Sequence, residues 1–119
     1  MTDEALQQLW KTYEDAWSDV SPEKRSQLLQ ASLAQDVAFT SPDSDDRGID
    51  RIMATLNEFQ SQFAGCCIRT TLLRRQHGQL IAEWTIFDRN DVPVLNGHSY
   101  ARFDEQQERL TYLAGFWKL

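Results

Sequence analysis

Two cysteines, two histidines, three prolines and five glycines are all that 119 residues hold of the types that staple, ligate or break a chain. Cys66 and Cys67 are adjacent. In a strand they point to opposite faces, so a bond between them would be strained and would staple nothing. They read as reduced, partly buried thiols of a cytoplasmic protein. His77 and His98 fall on different predicted strands, and no spaced His/Cys cluster accompanies them, so no metal site is indicated. A Gly-x-Ser-x-Gly elbow and a glycine-rich phosphate loop are both missing, and with them the usual signs of a nucleophilic serine or a nucleotide cofactor. No cofactor of any kind is indicated. No run approaches the ~18 apolar residues of a membrane span. Met1 leads directly into Thr2, Asp3 and Glu4, without the basic and apolar regions of an export signal.

Positive charge is also scarce. Twelve Lys and Arg face eighteen Asp and Glu, a net charge of −6. That field repels phosphate backbones and anionic lipid surfaces, which argues against nucleic acid or membrane as partner. Arg74 and Arg75, with Arg69 nearby, form too short a cluster to reverse the balance.

What is present is the composition of an ordinary globular protein, 41% hydrophobic and 25% charged, in a length that fits one domain over residues 1–119. Such a chain can bury roughly two-thirds of its unfolded surface and needs no metal or disulfide to fold. Helical periodicity runs to about Phe63 and strand alternation follows, an order that predicts α+β. Thr2 can cap a first helix over Asp3–Asp19, with Leu6, Leu9, Trp10, Tyr13, Ala16, Trp17 and Val20 along one face. Ser21, Pro22 and Glu23 read as cap, first position and first-turn acid of a second helix whose buried side is Leu28, Leu29 and Leu33. Asp36–Ser41 reads as a short strand with Val37, Phe39 and Ser41 on one face, and Pro42–Gly48 as a polar loop. Ile49, Ile52, Met53, Leu56 and Phe63 mark a third helix, which Gly65 terminates.

Four strands joined by hairpins complete the chain: Cys66–Arg75, Leu80–Asp88, Pro93–Asp104 and Leu110–Leu119. Leu80, Ala82, Trp84 and Ile86 share one face, as do Leu95, Gly97, Ser99, Ala101 and Phe103. In the last strand Leu110, Tyr112, Ala114 and Phe116 oppose Leu113 and Trp117, so both faces are apolar. A strand covered on both sides needs a second partner; a homodimer through the outer face of the sheet is the natural source, and a packed C-terminal tail is the alternative.

Three local stretches resemble the nuclear transport factor 2-like superfamily in its SnoaL-like, ketosteroid-isomerase-like branch. They are Trp10–Trp17, Phe39–Pro42 followed by Arg47–Asp50, and Gly97–Asp104 followed by Arg109-Leu110 and Gly115-Phe116. The resemblance implies a cone-shaped, cystatin-like roll in which three N-terminal helices close a curved antiparallel sheet around an apolar pocket. It specifies the fold well and the activity poorly, because one fold hosts many chemistries. It also places Tyr13 at the oxyanion-hole position of ketosteroid isomerase, an enzyme in which an Asp base works with a Tyr and a protonated Asp. The positions of the two carboxylates are filled here by Ser41 and Ser99. A serine hydroxyl has no useful basicity near neutral pH, so the steroid-isomerase mechanism is not expected.

The expected pocket is walled by Trp10, Tyr13, Trp17, Phe39, Trp84 and Phe116, with hydroxyls from Tyr13, Ser41 and Ser99. Those walls suit a small, flat, apolar ligand held by one or two hydrogen bonds. The alternatives are a SnoaL-like isomerase, cyclase or dehydratase using Tyr13 with a displaced acid such as Asp43, and a dimerisation module without a ligand. Glu83 and His98 are expected to point outward, and His77 to sit in a turn.

Overall fold

The structure, a computed structural model, describes residues 1–118. Thr2 begins the first helix: its Oγ1 accepts a hydrogen bond from the Ala5 amide at 3.0 Å, and Asp3 and Glu4 sit at the positive end of the helix dipole. Helix α1 (Asp3–Asp15) buries Leu6, Leu9, Trp10, Tyr13 and Glu14. It stops four residues short of the expected Asp19, and the chain tightens through i→i−3 bonds from Trp17 to Glu14 and from Ser18 to Asp15. The cause lies in the next helix. Buried Arg25 of α2 (Pro22–Ser32) donates to the carbonyls of Ala16 and Ser18 at 2.8 Å and of Val20 at 3.2 Å, and to Asn57 Oδ1 at 2.6 Å. One guanidinium thereby satisfies the carbonyls that α1 releases and ties three helices together.

Ser21 Oγ caps α2 by accepting from the Lys24 amide at 3.1 Å. Leu29 is fully buried and Leu28 only half so, whereas Leu33 already belongs to strand β1 (Leu33–Ser41). That strand starts three residues earlier than expected. The predicted loop at 42–48 is largely a strand as well: β2 (Ser44–Arg47) pairs back on β1, with Ser41 opposite Ser44 across Pro42-Asp43. Its aspartates suggest a loop, but β2 is a short edge strand, where charge is tolerated and discourages further pairing. Helix α3 (Ile49–Gln62) buries Ile49, Ile52 and Leu56. Phe63 caps its C-terminus and is 52% exposed instead of continuing the buried stripe.

Strands β3 (Cys67–Gln76), β4 (Gln79–Phe87), β5 (Pro93–Asp104) and β6 (Arg109–Phe116) follow as hairpins. The sheet has six strands in the order β2-β1-β6-β5-β4-β3. It is mixed: β6 returns beside β1 and runs parallel to it, while every other pair is antiparallel. The inward faces of β4 and β5 are those expected from the alternation. The parity of β6 is not. Phe103 pairs with Leu110 but Arg102 pairs with Tyr112, so Thr111 is an extra, bulged residue. Beyond it Leu113 and Gly115 face inward, and Tyr112, Ala114 and Phe116 face outward. Phe116 is 59% exposed and is no part of the pocket wall.

The interior divides into two apolar clusters. The larger gathers Leu6, Leu29, Leu33, Leu80, Phe103 and Leu110 with the helices, and the smaller joins Cys66, Trp84 and Ile86 to Ile68, Leu95 and Trp117. Trp84 is seated across Gly97 on the neighbouring strand, where a Cβ would lie 2.2 Å from its ring. Gly97→Ala is expected to destabilise the fold by about 1–3 kcal/mol through overpacking, read as a lower midpoint in chemical denaturation.

Candidate functional site

Between the two clusters lies a cavity of about 720 Å³. A step of three along α1 brings Trp10 and Tyr13 to it, the turn that follows the helix adds Trp17, and β1 contributes Phe39. Trp10 and Tyr13 are 5.1 Å apart at their ring centroids, Trp17 and Phe39 6.0 Å. Phe59 of α3 meets Trp17 edge-on at 5.3 Å, and Trp117 meets Trp84 edge-on at 5.9 Å. All four tryptophans of the chain therefore line one cavity. Tilted and edge-on contacts are the favoured geometries of aromatic pairs, so these walls hold each other in place.

Tyr13, Ser41 and Ser99 all line this space. Ser99 Oγ accepts from Trp84 Nε1 at 2.9 Å, which fixes the indole and leaves the serine proton to be donated elsewhere. Ser41 Oγ donates to Asp43 Oδ1 at 2.9 Å. Asp43 is exposed and stands where the cavity meets solvent. Burial pushes the Tyr13 phenol far above the usual tyrosine range, against a smaller lowering by the Trp17 side chain, so the phenol stays a neutral donor at physiological pH. Burial likewise raises the Cys66 thiol, with Asp88 adding to the rise, which makes this cavity-lining sulfur a poor nucleophile.

One group is not evident from the sequence pattern. Glu14 is only 5% exposed and lines the cavity. Thr70 Oγ1 donates to its Oε1 at 2.6 Å, and Trp10 Nε1 donates to the same threonine oxygen at 2.8 Å. Lys11 approaches the other oxygen at 3.5 Å from the solvent side, while making its shorter contact, 2.8 Å, with Asp15. A signal existed: Glu14 is four residues after Trp10 and three before Trp17, which places it on the aromatic face. Phe59 and Trp117 were also missed as wall residues, the latter because the bulge at Thr111 reverses the parity of the strand's end.

Elsewhere the polar residues fall where alternation puts them. His98 faces Glu83 at 3.5 Å on the outer side of the sheet, and His77 occupies a turn with φ of 52°.

No protein-family model matches the chain, and neither does any curated protein. Solved structures do. A candidate isomerase of the SnoaL-like family from Agrobacterium tumefaciens superposes with a TM-score of 0.87 at 17% identity, over 98% of this chain and 99% of that one. A protein of unknown function with a cystatin-like fold, from Methylobium petroleophilum, gives 0.80 at 18% identity over 100% of this chain and 79% of that one. A nuclear transport factor 2-like protein of unknown function from Burkholderia pseudomallei gives 0.73 at 16% identity, over 99% and 92%. These likenesses define the fold: the chain has the nuclear transport factor 2-like, cystatin-like architecture.

The threonine that bridges Trp10 and Glu14 is the most sensitive polar position of the wall. Thr70→Val keeps the shape and removes both hydrogen bonds, and should cost about 1–3 kcal/mol by stranding a buried acceptor. Thr70→Ser, which retains the hydroxyl, should recover most of that loss in the same denaturation measurement.

Proposed function

We propose that this domain binds a small ligand with a flat apolar body in the cavity between the two clusters. The observation that carries the reading is the cavity itself: about 720 Å³ walled by indole and phenyl rings, well within the range of small-molecule sites. The neutral phenol of Tyr13 and the hydroxyl of Ser99 supply orienting hydrogen bonds. The neutral fluorescent probe N-phenyl-1-naphthylamine should bind saturably with one site per chain and quench tryptophan emission as it does so. Absence of saturable binding, with the protein folded by circular dichroism, contradicts the reading.

The catalytic alternative has a better acid in Glu14 than in Asp43. Glu14 is buried beside the aromatic walls, whereas Asp43 is exposed and tied to Ser41. A carboxyl enclosed by apolar walls is the usual setting of a general acid or base. The cavity supports binding directly, and catalysis only through this one carboxyl group.

The outer face of the sheet favours self-association. Ile81 of β4, 52% exposed, pairs with Tyr100 of β5, and Tyr100 pairs with Ala114 and meets Tyr112 edge-on at 6.1 Å. Phe116 lies on the same face. Such a patch on a sheet covered by helices on its other side suits a homodimer. Sedimentation at micromolar concentration should give a dimer that Phe116→Glu converts to monomer, and a monomeric wild-type protein contradicts this assignment.

A further inference from the structure

Four acidic residues line the cavity: Glu14, Asp43, Glu58 and Asp88, the last with its Oδ1 accepting from the Asn90 and Val92 amides. Among the described residues no lysine, arginine or histidine side chain lines it. Lys11, in the neighbouring groove between α1 and β3, bonds Asp15 at 2.8 Å and reaches Glu14 Oε2 at 3.5 Å without lining the cavity. Arg69 pairs with Asp91 and stacks on Phe87 at 4.4 Å, and Arg89 donates to the Ala64 carbonyl at 3.1 Å. The charged groups left to the inside of the cavity are therefore acidic, and they stand among aromatic faces.

Both kinds of group attract positive charge. The face of an aromatic ring carries partial negative charge and draws ammonium groups, indole most strongly, and the attraction grows as water is excluded. Exposed acidic residues such as Asp43 are screened by water, but with Glu58 they set the sign of the potential at the entrance. Glu14 differs from them. It is buried, accepts a short hydrogen bond from Thr70 at Oε1 and has Lys11 at 3.5 Å from Oε2, an arrangement that still leaves carboxyl lone pairs for a further donor.

We propose that the cavity selects organic cations, an amine or quaternary ammonium whose apolar body lies between the indoles and whose charged nitrogen is drawn toward Glu14. This rests on the cavity being a ligand site and adds the charge class of the ligand. Anionic ligands are excluded by the same groups, since no positive side chain among the described residues lines the cavity to neutralise them.

The test compares three ligands with one ring system, 1-naphthylmethylamine, 1-naphthylmethanol and 1-naphthoate, by titration calorimetry at neutral pH. The ammonium form should bind about tenfold or more tighter than the alcohol, and the carboxylate weakest. Glu14→Gln keeps an acceptor for Thr70 and removes the charge. It should erase most of the cation's advantage, read as the ratio of the ammonium's affinity to the alcohol's in the same variant. Should that variant fail to fold, the pair Asp43→Asn and Glu58→Gln provides the second measurement, in which the preference for the ammonium and its salt dependence should both fall. Binding of the alcohol or the carboxylate as tightly as the amine overturns the charge selection while leaving the cavity a ligand site. Failure of all three ligands and of N-phenyl-1-naphthylamine removes the ligand site itself, and this inference with it.

Discussion

A carboxylate inside an aromatic wall has to be held, and the bridge from Trp10 through Thr70 to Glu14 is what holds it. The same three side chains fasten helix α1 to strand β3 at the sheet's edge. Hydrogen bonds in apolar surroundings are both stronger and harder to leave unmade, so this short relay has consequences beyond its size. Arg25 has the equivalent role at the far end of α1, where it gathers the carbonyls that the helix releases. The first helix is therefore pinned along its face and at its end, and Trp10, Tyr13 and, just past that end, Trp17 line the cavity.

Much of this is legible in the residues alone. The caps at Thr2 and Ser21, the buried faces of β4 and β5 and the aromatic face of α1 follow from periodicity and cap chemistry. What alternation could not supply was the place where it breaks. One extra residue at Thr111 moves Phe116 out of the pocket and Trp117 into its wall, and a bulge leaves no compositional mark. The parallel pairing of β1 with β6 is likewise a long-range property, since neither strand records its neighbour in its own residues. The early end of α1 depends on Arg25, a residue whose charge suggests the surface and whose five donors suit a cluster of carbonyls instead.

Glu14 was hidden for a different reason. Acidic residues on amphipathic helices are mostly solvated, and its neighbour Asp15 is paired with Lys11 in just that way. The helical position was readable, but the partner that makes burial tolerable, Thr70, lies 56 residues away. Ser41 and Ser99, singled out by the resemblance, line the cavity. The acid buried in the cavity wall lies on the first helix.

The central claim, that the space between the clusters is a ligand site, is tested most directly by fluorine magnetic resonance on protein carrying 5-fluorotryptophan. Trp10, Trp17, Trp84 and Trp117 all line that space, so four resonances report on it and none reports on the outer face. On titration with N-phenyl-1-naphthylamine, resonances from both clusters, those of Trp17 and Trp84 above all, should shift together and saturate at one ligand per chain. A probe that binds while all four resonances stand still would place its site elsewhere and contradict the account.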